Sequence, residues 1–169
     1  PSFMVSQELQ IFKCFGCGKV GMSMVMATPK KYQFDEKSLA WIRKHSPDLN
    51  LTITTDPAEA VRGANVVYTD VWVSMGEEGQ FRERMQLLSP YQVNLKLMEQ
   101  TGNLAKGRVI FLHCLPAFHN DRTEVTEAIG ALEVTEEVFE APFAKVFDEA
   151  ENRVHTLKAM MLASLAGQS

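Results

Sequence analysis

Two short segments of this 169-residue chain carry the residues best suited to chemistry. The first runs from Thr69 to Glu78 and contains Asp70, Ser74 and Met75. A carboxylate can hold a ligand ammonium group, and a serine near a glycine at a helix start can bind an anion through its hydroxyl and backbone N–H groups. The combination suits an amino acid, which has both an α-ammonium and an α-carboxylate. A local role, in which Asp70 and Ser74 only cap the following helix, explains the same residues equally well.

The second segment, residues 113–121, reads His-Cys-Leu-Pro-Ala-Phe-His-Asn-Asp. A cysteine just past a buried strand can be a nucleophile or a polar contact, although a lone cysteine is more often a small core residue. Pro116 stiffens the loop and could follow a cis peptide bond. A metal site built from His113, Cys114 and His119 is a weaker alternative, because their spacing matches no zinc pattern.

Strands and helices must position these two segments. Short apolar runs alternate with helical patterns along the chain, which is typical of an α/β fold with parallel strands. Strands are predicted at Met22–Ala27, Leu51–Thr54, Ala64–Thr69 and Val109–Leu112. Helices are predicted at Phe34–His45, after Asp56, at Phe81–Leu88, Val93–Gln100 and Glu149–Ala166. We expect a three-layer sandwich around a mostly parallel central sheet of four or five strands. Ligands bind beyond the carboxyl ends of such strands, where both chemical segments begin.

The first residues of the chain fit this pattern less well. A helix is predicted over Gln7–Gly21, weakened by its glycines. The Cys14-x-x-Cys17 pair lacks the second pair that a zinc site needs, and Gly16-x-Gly18-x-x-Gly21 precedes a strand instead of following one, as a dinucleotide fingerprint requires. We therefore expect residues 1–18 to form an atypical, helical N-terminal segment ahead of an α/β domain over residues 19–169.

Composition narrows the class of protein. The formal net charge is −4 and the 17 basic residues are scattered, which argues against nucleic acid as a partner. No apolar run has the length of a membrane span, so we expect no membrane partner. Three cysteines, an odd and low count, are typical of a reducing compartment and predict a cytoplasmic protein.

Three motifs, in this order, resemble those of the ornithine carbamoyltransferase family. They are Asp70-Val-Trp-Val-Ser-Met-Gly-Glu-Glu78, then His113-Cys-Leu-Pro116 with Ala117-Phe-His-Asn120 as in the catabolic-like bacterial branch, and Phe147-Asp-Glu-Ala-Glu-Asn-Arg-Val-His-Thr156. The resemblance runs from about Gly18 to Leu165. It implies the Rossmann-like second domain of the carbamoyltransferase fold, with ornithine and carbamoyl phosphate as substrates and neither metal nor cofactor. The Ser-Met-Gly form favours ornithine over aspartate or putrescine.

The resemblance also implies site roles. Asp70 would hold the ornithine α-ammonium, and Ser74 and Met75 would contact the amino-acid end. At the reacting centre it places Cys114, the Leu115 carbonyl and, beside them, His113. Arg153 would reach carbamoyl phosphate, a role that suits a guanidinium; its alternative is a surface ion pair with Glu149 or Glu151.

Two departures from the family bear on activity. The phosphate-binding Ser-x-Arg-Thr motif of the family's N-terminal domain does not occur here, and no asparagine precedes Lys19-Val-Gly-Met22 where the family has one. We therefore expect the ornithine-binding half of an enzyme whose carbamoyl-phosphate domain is missing. The full-length protein would be a homotrimer. The chain alone would be monomeric or weakly associated, and it would be inactive. In its last helix we expect exposed apolar side chains at Leu157, Met160, Met161 and Leu165.

Two other functions stay open from the sequence. The first is a non-catalytic module of the same fold that binds an amino acid or serves assembly, and a citrulline assay would distinguish it from an enzyme. The second is a nicotinamide-binding Rossmann domain, which the glycines suggest and titration with NAD would test.

Overall fold

A computed structural model describes residues 3–6, 11–14, 23–73 and 81–166 of the chain. It divides the protein into two compact units, Pro1–Asp56 and Pro57–Ser169. The Cys14-x-x-Cys17 pair, the three glycines of the dinucleotide-like pattern, Ser74 and Met75 lie wholly or partly outside the described residues.

The N-terminal residues pair as strands. Strand β1 (Phe3–Ser6) lies antiparallel to β2 (Ile11–Cys14), with Phe3 opposite Cys14 and Ser6 opposite Ile11. The predicted helix is therefore wrong for these residues. Both segments are rich in aromatic and β-branched side chains, which favour strands over helices.

The rest of the first unit is a parallel βαβ arrangement. Strand β3 (Ser23–Ala27) pairs with β4 (Asn50–Thr54), and helix α1 (Glu36–His45) connects them. A 3₁₀ turn at Lys30–Tyr32 precedes the helix. Asp35 caps α1 by accepting the Ser38 N–H at 2.7 Å, and hydrogen bonding to the Ser38 side chain and then to its backbone lowers the pKa of the Asp35 carboxyl. The two strands, the helix and its cap were predicted from sequence and are confirmed.

The second unit holds another parallel pair. Strand β5 (Val66–Thr69) lies beside β6 (Ile110–His113) in a register that sets Thr69 opposite His113. Four helices were predicted in this unit and are found, as α2 (Pro57–Ala60), α3 (Phe81–Leu88), α4 (Leu95–Gln100) and α6 (Val146–Ala166); the fifth, α5 (Glu136–Phe139), was not predicted. Short 3₁₀ turns occupy Ser89–Tyr91 and Leu104–Lys106.

The core of this unit surrounds β6. Phe111 in the middle of the strand is fully buried, as are Met98 from α4 and Val138 from α5. The remaining buried members of the cluster are Val61, Val67, Val93, Val109, Val134, Phe139 and Val146. Because Val146 is the first residue of α6, the core holds the start of that helix.

The α/β class and the parallel pairing are confirmed. The described strands pair two by two, as β1–β2, β3–β4 and β5–β6, where the sequence analysis expected one sheet of four or five strands. Apolar patterning predicts where strands form but carries no information on which strands become neighbours.

The last helix is largely exposed. Its apolar residues Leu157, Met160, Met161 and Leu165 are between 51% and 77% accessible, so their predicted exposure is confirmed. The described residues include no helix long and apolar enough to cross a membrane.

Candidate functional site

The carboxyl ends of β5 and β6 bring the two chemical segments together. Asp70 follows β5 and Cys114 follows β6, and the parallel register makes these neighbours across the strand pair. The Cys114 thiol donates to Asp70 Oδ1 at 2.9 Å. The prediction that both residues share one edge is therefore confirmed.

The Asp70 carboxylate is held by its own backbone as well. Its Oδ1 also accepts the Val71 N–H at 2.7 Å, so neither described bond uses Oδ2. The loop that follows is anchored by Trp72, which is buried and whose carbonyl accepts from the Arg84 guanidinium of α3 at 3.0 Å. A carboxylate that is fixed through one of its oxygens suits an ammonium ligand.

The Cys114 thiol is a neutral donor. Its pKa is raised to about 12, first because the thiol is partly removed from water and then because of the neighbouring Asp70 carboxylate. The residue as a whole keeps an exposed surface. With so high a pKa the sulfur is not a thiolate at neutral pH, which argues against nucleophilic catalysis by this cysteine.

Two residues that the sequence analysis did not select join this pair. Tyr68, on β5, lies near enough to Cys114 and to the Glu149 carboxylate of α6 for both groups to affect the pKa of its hydroxyl. Burial, followed by the charge of Glu149, raises the pKa of the Tyr68 hydroxyl, which therefore remains a proton donor. The sequence spacing could have indicated Tyr68 as a site residue, because residues two apart along a strand point to the same side and Tyr68 precedes Asp70 by two positions.

His113 anchors the start of the loop after β6 through its buried side chain. It is buried, its Nε2 lies 3.2 Å from Oε1 of the equally buried Glu133, and its Nδ1 accepts the Leu115 N–H at 2.9 Å. An accepting Nδ1 places the proton on Nε2, which then donates to Glu133. Sequence reasoning put His113 among the substrate contacts, whereas the structure places its side chain in the interior.

Glu133, also missed from the sequence, holds the far end of the same loop. Its Oε1 accepts the Phe118 N–H at 2.7 Å. Between these two anchors Leu115 has a φ of 54°, and the Leu115–Pro116 peptide bond is cis, which sequence analysis had left open. A leucine in the left-handed region is strained and persists only where its surroundings impose that conformation. His113 and Glu133 thus shape the backbone that presents Cys114 and the Leu115 carbonyl.

Arg153 lies on the exposed part of α6, one helical turn beyond Glu149. Within the described part of the chain it makes no ion pair with Glu149 or Glu151, the alternative considered from sequence. Its side chain is exposed.

The metal alternative finds no support in this geometry. His113 is engaged with Glu133 and Leu115, and His119 stacks on Phe139 with ring centroids 3.8 Å apart. Among residues 23–73 and 81–166 no three histidine, cysteine, aspartate or glutamate side chains are grouped as metal ligands would be. Two clefts among the described residues lie away from the predicted site residues. One lies between α1 and β4 in the first unit, and one between α2 and α4 in the second.

Comparison with protein families gives a match over most of the chain. The model for "Aspartate/ornithine carbamoyltransferase, Asp/Orn binding domain" matches residues 13–164. A catabolic ornithine carbamoyltransferase of Bacillus licheniformis is 49% identical in an alignment of 158 residues, which covers 89% of this chain and 46% of that protein. An ornithine carbamoyltransferase of Streptococcus pyogenes is 46% identical over 154 residues, 86% of this chain and 45% of that one. The chain thus spans about half the length of these relatives.

Solved structures agree. The ornithine carbamoyltransferase of Pyrococcus furiosus superposes with a TM-score of 0.68 at 36% identity, covering 86% of this chain and 42% of the other. The anabolic enzyme of Campylobacter jejuni gives a TM-score of 0.71 at 30% identity, covering 90% and 46%.

Proposed function

The chain belongs to the aspartate/ornithine carbamoyltransferase family, whose amino-acid-binding domain it carries, and from this premise we propose that it is the ornithine-binding half of an ornithine carbamoyltransferase. The reaction transfers a carbamoyl group from carbamoyl phosphate to the δ-amine of ornithine and releases citrulline and phosphate. The observation that carries the proposal is the Asp70–Cys114 pair at the shared carboxyl edge of β5 and β6.

Asp70 is the proposed partner of the ornithine α-ammonium. Its Oδ1 is occupied by Val71 and Cys114, so Oδ2 supplies the charge for the ligand. Ser74 and Met75 complete the amino-acid end in this proposal, by resemblance to the family. The names of the relatives favour ornithine as the acceptor over the other amino acid in the family's description.

The thiol of Cys114 suits the amine end of the substrate. An alkyl amine has a pKa near that of lysine, roughly 10.4, and must lose its proton before it attacks. A thiolate beside it would stabilise the ammonium form, whereas a neutral thiol offers sulfur lone pairs without that charge. The raised pKa of Cys114, about 12, therefore supports a positioning role near the attacking nitrogen.

The Leu115 carbonyl and Arg153 complete the proposed reacting centre. By resemblance to the family, the Leu115 carbonyl is the proposed acceptor for the attacking N–H, and its backbone is held through the Leu115 N–H bond to His113. Arg153 supplies a permanent positive charge for carbamoyl phosphate and for the oxyanion of the tetrahedral intermediate. Positioning and electrostatics then carry the catalysis.

A non-catalytic binding or assembly module is the second candidate. This sequence spans about half of its relatives' length and contains no Ser-x-Arg-Thr motif, so these residues do not by themselves supply the family's phosphate-binding loop. Carbamoyl phosphate is multiply charged, and each missing phosphate donor costs roughly a hundredfold or more in rate. We therefore expect the 169-residue chain alone to show no turnover.

A chimera distinguishes the two candidates. Residues 13–164 would replace the matching half of the Bacillus licheniformis enzyme, which supplies the other half of the protein. We expect citrulline formation with ornithine and none with aspartate, and we expect Asp70→Ala in the chimera to abolish it. A folded chimera that makes no citrulline would favour the non-catalytic module, and substantial turnover by the isolated chain would refute the half-enzyme proposal.

Three further expectations belong to this proposal. The ornithine-binding domain spans residues 19–169, the full-length protein is a trimer in the cytoplasm, and its contacts between subunits come largely from the carbamoyl-phosphate domain. Light scattering should show the isolated chain as a monomer or weak associate. A tight trimer would contradict that part of the proposal.

A further inference from the structure

Helix α6 is exposed along most of its length. Every side chain from Ala150 to Leu165 is exposed. The large apolar side chains of this stretch are between 48% and 77% accessible; they are Val154, Leu157, Met160, Met161, Leu162 and Leu165. So much apolar surface on one element marks an interaction site. The spacing of these residues and the charges beside them decide which partner the surface fits.

The apolar residues of α6 follow a seven-residue repeat. When Phe147 is taken as the first position of a heptad, the first and fourth positions are Phe147, Ala150, Val154, Leu157, Met161 and Ser164. All but Ser164 are apolar, and the Ser164 hydroxyl donates to the Met160 carbonyl at 2.8 Å, within its own helix. Apolar first and fourth positions in successive heptads form the contact line of a two-helix pair. We call these six residues the α6 seam.

The charged residues beside the seam distinguish the two orientations of such a pair. Glu151 and Lys158 occupy the fifth position of successive heptads on one flank, and Arg153 occupies the seventh position on the other. In a parallel pair, a seventh position faces the next fifth position of the partner helix, which would set Arg153 against Lys158. In an antiparallel pair, fifth positions face each other, so Glu151 of each copy lies beside Lys158 of the other. The charges therefore favour the antiparallel orientation.

We propose that the α6 seam binds a second copy of this chain, with the two α6 helices antiparallel about a two-fold axis. Val154 of each copy then packs against Leu157 of the other next to the axis. Farther out, the small Ala150 leaves room for the long Met161. Because the two-fold axis repeats every contact, the interface is closed and a third copy is not added.

The proposed dimer is weak. The seam spans 18 residues, about five helical turns, and each copy contributes far fewer than the roughly 20–30 residues of a standard stable interface. We therefore expect a reversible dimer that forms at high protein concentration, in keeping with the weak association proposed above. The inference does not rest on the proposed function, because no residue of the seam is assigned to a substrate.

Sedimentation velocity over a series of protein concentrations, in reducing buffer, tests the seam. Leu157→Asp places a charge at its centre and should abolish the dimer. Leu162→Asp makes the same change off the seam, at a side chain that is more accessible, 67% against 51%, and should alter the dimer dissociation constant by less than about twofold. Circular dichroism checks that both variants keep their helix. A parent chain that stays monomeric, or equal losses in the two variants, would refute the seam.

Charge reversal tests the orientation. Glu151→Lys and Lys158→Glu each bring like charges together at two symmetric places, so each variant should dimerise about five- to tenfold more weakly than the parent. An equimolar mixture of the two variants restores opposite charges at both places and should form a mixed dimer with about the parent affinity. The double variant should also regain the parent affinity.

A parallel pair predicts a different pattern. Glu151→Lys would then have no effect, and Lys158→Glu would strengthen the dimer by facing Arg153. Either result, or a mixture without rescue, would overturn the antiparallel pair. None of these measurements uses ornithine or carbamoyl phosphate. A monomeric chain therefore leaves the proposed function standing, and an inactive chimera leaves this inference standing.

Discussion

Removing the Glu133 carboxylate should destabilise the second unit more than any surface substitution. Glu133 and His113 are completely buried, and Glu133 Oε1 accepts from His113 Nε2 at 3.2 Å and from the Phe118 N–H at 2.7 Å. Glu133→Ala leaves both donors in the interior without an acceptor. His113 also holds the Leu115 N–H, so the loop loses its supports at both ends.

The magnitude follows from those two bonds. A buried donor left unpaired costs about 1–3 kcal/mol, and Glu133→Ala leaves two such donors. We therefore expect Glu133→Ala to lower the free energy of unfolding by roughly 2–6 kcal/mol. The matched control is Glu136→Ala, because the Arg122–Glu136 pair spans 3.5 Å with side chains 76% and 47% exposed. An exposed pair contributes about 0–1 kcal/mol.

Urea denaturation followed by tryptophan fluorescence measures both variants. The chain has two tryptophans, Trp41 in the first unit and the buried Trp72 in the second. A Trp41→Phe background makes Trp72 the reporter of the unit that contains Glu133. A loss below about 1 kcal/mol for Glu133→Ala, or one equal to that of Glu136→Ala, would show that the buried pair does not hold the loop.

Three further predictions concern single side chains. Asp70→Asn should lower the pKa of Cys114 from about 12 and speed its alkylation at pH 8, because the Asp70 carboxylate adds to the effect of burial in raising that pKa. Asp121→Asn, an exposed change farther along the segment that contains Cys114, should not change the rate, and equal rates for the two variants would contradict the pairing. Asp35→Ala should reduce the helical circular dichroism signal of α1 at neutral pH. The difference from the parent protein should vanish as the pH falls through the lowered pKa of Asp35, and a difference that persists in acid would rule out the charged cap. Phe111→Ala should cost about 3–5 kcal/mol in urea denaturation, since the ring is fully buried, and a smaller loss would mean that the core closes around the cavity.

Much of the local structure could be predicted from the sequence. The strands at 50–54 and 110–113 and the Asp35 cap follow from apolar runs and from residue types whose preferences act over a few neighbours. The placement of Asp70 and Cys114 at one edge also followed, because parallel strands end on the same side. Predictions for Ser74 and Met75 lie outside the described residues and remain predictions.

The helix predicted near the N-terminus was wrong for a reason that lies in the local sequence. Residues 3–6 and 11–14 form a strand pair in place of a helix. The aromatic and β-branched residue types in these segments favour strands, and the glycines nearby already disfavoured a helix. Pairing between strands is a nonlocal choice, and the two-by-two arrangement of the described strands could not be derived from patterning.

The sequence by itself determined the class of fold and the family, because motifs and periodicity are carried along the chain, and it led to the proposal of which residues bind the substrates. The tertiary structure decided which side chains form hydrogen bonds with each other. Glu133 is 20 residues from His113, and Cys114 is 44 from Asp70. Contacts between such distant residues depend on how strands and helices pack, and burial then sets the pKa values of Cys114 and Tyr68. For that reason the supporting residues Tyr68, Glu133 and Glu149 emerged only from the folded chain.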